Sequence, residues 1–376
     1  MRFIHCADIH IGAWRDQRMS QLPLKAFTQL VDDALSLKVD FILLAGDFFN
    51  TALPSIDLLK STIIQLIRLK NAQIPVYCIP GSHDYSPSGK TMLDILEQTN
   101  LLTNVFKGTI RDEELHLAFT QDPKTGAKLT GMPGRKGVLE KKLYTKLART
   151  NLEQEVGFKI FLFHTALDEL KPEHLDLMDA APISLLPQGF EYYAGGHVHV
   201  VNQKTFSQYK NVLYPGPLFP TTFSELERLS VGGYYFYDEG TITYEPIVVK
   251  KHQHFVIDVT NKSPVQINEE IIRIANNPID QTIITVRFTG ELENSTLADI
   301  NLQSARSFIE QKAFCVLFSL NEVMVKKKEM KKEIIKVTAE QEEIMRALDC
   351  ERKEGETVHD FEKRLLERVF ATLQIK

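Results

Sequence analysis

The sequence predicts an α/β fold, and three observations carry that reading. Short apolar runs alternate with longer amphipathic stretches through the first two-thirds of the chain. Asp and His residues recur at the carboxyl ends of those runs. The last part of the chain changes to a highly charged, proline-free composition. Strand–helix alternation of this kind implies layering around a largely parallel sheet. At 376 residues, 43% of them hydrophobic, the chain has material for two or three domains and a sizeable core.

Taken in order, Phe3–Ala7 reads as a buried strand. Pro23–Lys38 reads as a helix, with Leu24, Phe27, Leu30, Val31 and Ala34 on one face. Asp40–Ala45 is a second strand. Pro54–Leu69 is a second helix that is apolar on more than one face, with Pro54 placed for its first turn. Val76–Pro80, Lys159–Phe163, Tyr192–Ala194 and Val212–Tyr214 are further buried strands. Gly232–Val249 reads as an antiparallel hairpin turning at Asp238-Glu239-Gly240. Residues 251–325 form a small α+β unit. Its strands are Phe255–Val259, Thr282–Phe288 and Phe314–Phe318, with helical character over Pro264–Ala275 and Ser295–Gln311.

From Lys326 to Lys376 there are 13 Lys/Arg and 12 Asp/Glu, one glycine and no proline. Ile344 and Leu348 mark one helical segment; Phe361, Leu365 and Val369 mark a second at near-ideal spacing. Such a pair either folds back on its own chain or docks onto a partner. The net charge of −5 excludes nucleic-acid binding by bulk charge, though not a locally basic groove. No apolar run is long enough to span a membrane, and the amino-terminal residues are too polar for a signal peptide. A cytoplasmic, nucleoid-associated protein is expected. The four cysteines form no CxxC pair and are expected to be reduced.

The chemistry sits in motifs at strand ends: Asp8-Ile9-His10, Gly46-Asp47, Gly81-Ser82-His83-Asp84, His164, and Gly196-His197-Val198-His199. Ligands of open α/β sheets bind beyond the carboxyl ends of strands, so these residues converge on one rim. Mixed carboxylate and imidazole donors without thiolate suit Mn²⁺, Fe²⁺ or Zn²⁺. The set exceeds the needs of one ion. It matches two ions about 3.5–4 Å apart sharing one carboxylate, an arrangement that clamps a phosphate ester.

In this order the motifs DxH, GD, GxHD, H and GHxH resemble the calcineurin-like metallophosphoesterase superfamily. More narrowly, DIHIGAW, AGDFFN, IPGSHDYS, FHTAL, GGHVHV and YPGPLFPTTFSELE are similar to the double-strand-break repair nucleases, the meiotic-recombination-eleven family and its bacterial relative SbcD. The specific resemblance covers residues 1–250. It implies a layered metallophosphoesterase sandwich over 1–250, a capping, DNA-guiding domain over 251–325 and a helical partner-binding tail over 326–376.

The resemblance implies a Mn²⁺-dependent DNA nuclease processing ends in double-strand-break repair. Its activities would be 3′-to-5′ exonuclease on duplexes and endonuclease on single strands. Asp8, His10 and His199 would hold one ion, and Asp47 would bridge. Ser82, His164 and His197 would hold the second, with Ser82 standing where the family has Asn. His83 would contact the phosphate or protonate the leaving oxygen, oriented by Asp84. Asn50 stands where some members have a second histidine, and would still bond phosphate. Arg15 and Arg18 are candidate DNA contacts, and Trp14 a candidate wedge. The resemblance further implies a homodimer built on main-domain helices. It also implies a coiled-coil ATPase partner of the Rad-fifty or SbcC type, docked on the tail. The rival readings are a DNA-end-binding scaffold with weak catalysis and a small-nucleotide phosphodiesterase.

Overall fold

The computed structural model describes residues 1–86, 89–134, 139–172, 178–292, 296–326, 346, 348–350 and 358–372. In chain order the strands are β1 (Arg2–Cys6), β2 (Phe41–Ala45), β3 (Val76–Ile79), β4 (Thr103–Asn104), β5 (Gly108–Arg111), β6 (Glu114–Leu117), β7 (Thr120–Gln121), β8 (Lys128–Met132), β9 (Lys159–His164), β10 (Tyr192–Gly196), β11 (Asn202–Lys204), β12 (Val212–Tyr214), β13 (Gly232–Asp238), β14 (Thr241–Ile247), β15 (His252–Asp258), β16 (Ile283–Leu292) and β17 (Cys315–Val325). The helices are α1 (Leu22–Leu37), α2 (Ile56–Asn71), α3 (Met92–Gln98), α4 (Leu139–Thr145), α5 (Thr150–Gln154), α6 (Phe223–Leu229), α7 (Pro264–Arg273), α8 (Leu302–Ile309) and α9 (Val358–Thr372).

The strands do not form one sheet. They form two six-stranded sheets, ordered β14-β13-β1-β2-β3-β4 and β11-β12-β10-β9-β8-β7, with a three-stranded sheet β15-β16-β17 and the β5-β6 hairpin apart from them. The pairs among β1, β2, β3 and β4, and among β8, β9, β10 and β12, are parallel; the hairpin β13-β14 adds an antiparallel edge. Strands buried on both faces are mostly apolar, and this is why β2 reads as an unbroken hydrophobic run and β9 as one closed by Lys159 and His164 at its ends. Alternation along them sorts the core. Phe3, Phe41 and Leu43 point between the sheets, where they meet Leu129, Ile160, Leu162, Tyr192 and Leu213. Ile4, Ile42 and Leu44 point outward under α1 and α2. Phe161, Phe163 and Tyr193 fill the outer face of the second sheet.

The parallel register brings strand ends level. Cys6 lies beside Leu44, Ala45 beside Ile79, and Gly196 beside His164. The motif-bearing loops therefore leave both sheets at one end. The hairpin turns at Glu239 and Gly240, both at positive φ, as a tight two-residue connection requires.

Some local expectations change. Ser55 caps α2 by accepting from the Leu58 amide, so Pro54 lies before the helix and not in its first turn. Thr62, Leu66 and Leu69 bury one face of α2, whereas Ile56, Ile64 and Ile67 are exposed. The second apolar face is thus open in this chain and not buried within it. Strands β4 to β7 are short and largely polar, with no apolar run to announce them. The third sheet, β15-β16-β17, is all parallel and packs α7 and α8 over a core of its own. The segment expected as one helix over Ser295–Gln311 is a 3₁₀ turn, Leu297–Asp299, followed by α8. Cys6, Cys78, Cys315 and Cys350 are all free thiols. Among the described residues no helix is long and apolar enough to cross a membrane.

Candidate metal centre

Five strand ends build the site. The backbone after β1 and β2 leaves the extended region at once: Asp8, His10 and Asp47 have φ of 50°, 47° and 51°, and His197 has 92°. Left-handed conformations cost a non-glycine residue roughly 1–2 kcal/mol, so four in one cluster mark a position where geometry outranks stability. The two loops are zipped together by Asp8 N–H to Gly46 O (3.1 Å), His10 N–H to Asp47 O (3.0 Å) and Ile11 N–H to Phe48 O (3.0 Å). Gly46, at φ +89°, is required twice over. A Cβ there would lie 2.2 Å from His164 Nδ1.

The donor atoms converge. Asp8 with His10 and His199, His10 with Asp47 and His83, and Asp8 with Asp47 and His164 each place one ligand atom per residue within 4.8 Å of the others. Asp47 Oδ2 is flanked by His164 Nε2 at 3.2 Å and His10 Nε2 at 3.7 Å. Asp8 Oδ1 lies 3.7 Å from His199 Nε2 and 4.0 Å from His164 Nε2. Asp8, His10, Asp47 and His164 are buried.

Hydrogen bonds fix the ring tautomers. His164 Nδ1 donates to the Ala45 carbonyl at 2.7 Å, and His199 Nδ1 donates to Glu225 Oε1 at 2.8 Å. Each ring therefore turns Nε2 toward the carboxylates. His164 Nε2 is buried against Asp47 Oδ2, and His10 and His199 face each other Nε2 to Nε2 at 3.2 Å. Ring nitrogens gathered beside two buried carboxylates offer the mixed donors that a divalent cation takes. The donor set fits divalent metal ions.

Burial alone favours neutral forms: it pushes His10 and His197 down to about 3 and raises Asp8. The pair Asp47–His164 goes the other way. Burial opposes its charges, but mutual attraction holds Asp47 well below the usual carboxylate range and His164 well above the usual histidine range. This attraction favours the charged form of His164 in the metal-free protein, and a cation bound at Nε2 would displace that proton. Metal affinity should fall as pH falls, with close to one proton released per ion bound at that half of the site. Calorimetric titration at pH 7 in buffers of different ionisation enthalpy measures the release; a proton count of zero contradicts the assignment.

Not every expected residue sits where the motifs suggested. Asp84 does not orient His83. Its buried carboxylate accepts the amides of Gly81 (2.8 Å), Phe49 (3.2 Å) and Phe48 (3.4 Å), tying the two loops together. His83 is held instead by the main-chain carbonyl of Asn50, which accepts from Nδ1 at 2.9 Å. Asn50 thus touches His83 through its backbone and not its amide. Ser82 lies beside the cluster, its hydroxyl 3.5 Å from Asp47 Oδ2. His197 falls in none of the three donor groups; its ring packs 5.2 Å from that of His164, and its amide donates to both oxygens of Asp8 at 3.0 Å.

Arg18 is not a free DNA contact. Its guanidinium bonds Asp16, Glu310 and the Phe314 carbonyl, fastening the DxH loop to the segment entering β17. Trp14 is no wedge either, because its indole N–H is anchored on the Pro220 carbonyl at 3.0 Å. Arg15 is exposed. Of the tail residues, Ile344 lies outside the described residues, Leu348 is exposed, and Phe361, Leu365 and Val369 are half-buried on α9. Glu225 was not anticipated. Thr222-x-x-Glu225 reads as a helix-capping pattern, and Thr222 does accept from the Glu225 amide. The carboxylate, however, turns to His199 and to the Thr221 amide at 2.7 Å.

The description "Calcineurin-like phosphoesterase" matches residues 1–201. The DNA double-strand break repair protein Mre11 of Methanopyrus kandleri is 27% identical over 236 residues, 60% of this chain and 51% of that protein. Its counterpart in Methanococcus maripaludis is 26% identical over 258 residues, 63% of this chain and 62% of that one. The uncharacterized metallophosphoesterase YhaO of Bacillus subtilis is 27% identical over 258 residues, 65% and 59% of the two chains. The chain spans about half the length of the first two curated relatives it matches. The matched residues 1–201 include every motif that delivers a donor to the centre, and on that ground the chain belongs to the calcineurin-like phosphoesterase family.

Proposed function

We propose that this chain is a dimetal phosphodiesterase that hydrolyses DNA, a nuclease of broken ends. The observation that supports this best is the convergence of Asp8, His10, Asp47, His164 and His199, with the Nε2 atoms of His10 and His199 3.2 Å apart and His164 Nε2 3.2 Å from Asp47 Oδ2. Two relatives described as DNA double-strand break repair proteins supply the substrate class. Two bound Mn²⁺ ions, with Fe²⁺ or Zn²⁺ as alternatives, would supply Lewis acidity toward the phosphate ester.

Asp8, His10 and His199 form one half of the centre; His164 and Asp8 contribute to the other, with His197 and Ser82 at its margin. Asp47 lies between the two and would be the ligand shared by two ions. His83 keeps Nδ1–H on the Asn50 carbonyl, so Nε2 is the atom left to exchange a proton with a leaving oxygen. Asp84 positions both loops. Exposed Arg15 is offered to the DNA backbone.

The division we propose is a nuclease domain over 1–250, a capping domain over 251–325 and a partner-binding tail over 326–376. Leu366 and Phe370 leave apolar surface exposed on α9, suited to a coiled-coil ATPase of the Rad-fifty or SbcC type. The exposed Ile56, Ile64 and Ile67 of α2 suit a homodimer.

The test is cleavage of an end-labelled duplex by metal-stripped protein with Mn²⁺ restored, beside His83→Leu. We expect Mn²⁺-dependent cutting, and a loss of about 10²–10⁴-fold in His83→Leu at unchanged metal content. Tight duplex binding without cutting would favour an end-binding scaffold, the reading to which Ser82 lends weight. Fast turnover of nucleotide diesters with no DNA affinity would favour a small-molecule enzyme.

A further inference from the structure

The seven-residue helix α6 joins two parts of the molecule that are otherwise far apart in sequence. One side of it serves the metal centre. Glu225 Oε1 accepts His199 Nδ1–H at 2.8 Å, and its other oxygen accepts the Thr221 amide at 2.7 Å and hydroxyl at 3.0 Å. Arg228 donates to the His199 carbonyl at 2.6 Å. His199 thus has both its ring and its main chain held by α6.

The other side is gripped by the three-stranded sheet. Arg287 of β16 forks onto Glu227, with Nε to Oε1 at 2.8 Å and a second bond from Nη2 to Oε2. Its guanidinium also lies over the Phe223 ring, 5.4 Å from the centroid. His254 of β15 approaches the same Glu227 oxygen at 3.3 Å, and Glu322 of β17 holds the far side of Arg287. A two-pronged guanidinium–carboxylate bond fixes orientation as well as distance. All three strands of the sheet therefore bear on α6 through one ion-pair cluster.

We propose that α6 is a lever: the seating of the β15-β16-β17 sheet, through Arg287 and Glu227, sets the orientation of the His199 imidazole. Arg287, Glu227 and Glu225 are then positioning residues of the metal centre, and a load that shifts this sheet is felt at one ion. The inference rests on the metal-centre reading. It goes beyond it by making half of that centre depend on residues outside the matched 1–201 segment. Partners of a ligating histidine matter because they fix ring angle and basicity, and their loss typically weakens metal binding about 10–100-fold.

The test uses the full chain, with Mn²⁺ affinity, the visible absorption of bound Co²⁺ and the melting midpoint as readouts. Glu225→Ala is expected to weaken one of two Mn²⁺ affinities by about 10–100-fold. Arg287→Ala, which touches no metal ligand, is expected to weaken the same affinity by about 3–10-fold and to alter the Co²⁺ spectrum. Arg287→Lys keeps the charge without the fork and should recover part of the loss. Lys262→Ala removes the Lys262–Glu270 pair of the same unit, away from α6, and should leave affinity and spectrum alone. A folded Arg287→Ala with wild-type affinity and spectrum overturns the lever. If that variant does not fold, Glu227→Gln decides the matter by the same readouts. A wild-type protein that binds no divalent ion overturns the metal-centre reading itself, a distinct result.

Discussion

Asp47→Ala is expected to lower divalent-metal affinity in both halves of the centre and to cut hydrolysis by at least about 10³-fold, since a metal site supplies several kcal/mol and 1.36 kcal/mol is tenfold. Asp47 belongs to two of the three donor groups. Its Oδ2 stands between His10 and His164, and its Oδ1 accepts the His83 amide at 2.7 Å. Removal takes away the negative charge that the proposed ions share, and it releases the backbone that carries His83. Asp47→Asn separates the two effects. It can keep the His83 amide bond while losing the charge, so it should preserve the fold and still bind metal poorly. Metal content after dialysis, followed by turnover on labelled DNA, measures both. Full metal loading of Asp47→Asn with normal turnover would sink the bridging role.

Gly46→Ala is expected to destabilise the fold by about 3–5 kcal/mol, combining an overpacked contact with a strained backbone. The added methyl lies 2.2 Å from Nδ1 and 2.7 Å from Cγ of His164, at a φ of +89°. His164 has no room to retreat. It is fully buried, and its Nδ1–H already bonds the carbonyl of Ala45, the residue before the glycine. The clash therefore breaks the one hydrogen bond that sets the tautomer of this ring. Urea denaturation should show the midpoint shift. The folded fraction should also bind metal weakly, because Nε2 loses its aim. A Gly46→Ala protein of unchanged stability and metal affinity would show that the loops after β2 and β9 can part without consequence.

Strands such as FILLA and the IFLF of β9 were legible because burial on both faces leaves their interior positions apolar. The donors were legible because each follows such a strand directly, where a parallel register must bring the ends level. What stayed hidden depends on contacts distant in sequence. The run of apolar strands carries no mark of which sheet each joins; the division into two facing sheets was legible only through the resemblance to a layered metallophosphoesterase sandwich. Asp84 lies next to His83, and adjacency suggested a pair; packing turned its carboxylate inward to three amides instead. Arg18 looked like a surface cation until the segment near Phe314 came round to meet it. Glu225 was hidden behind a capping pattern that its own hydroxyl partner does fulfil.

The left-handed backbone at Asp8, His10, Asp47 and His197 has a consequence for anyone who breeds this protein for heat resistance. Glycine, or asparagine, relaxes such a conformation at little steric cost, so at these four positions the gentlest route to a tougher chain is also the loss of a donor. Selection on melting temperature alone should therefore enrich changes at the rim of the two sheets and return robust, inert variants. Selection that keeps turnover in view must look for its gains elsewhere, as at the β5-β6 turn, where Asp112 and Glu113 hold the same positive φ and carry no donor of the centre.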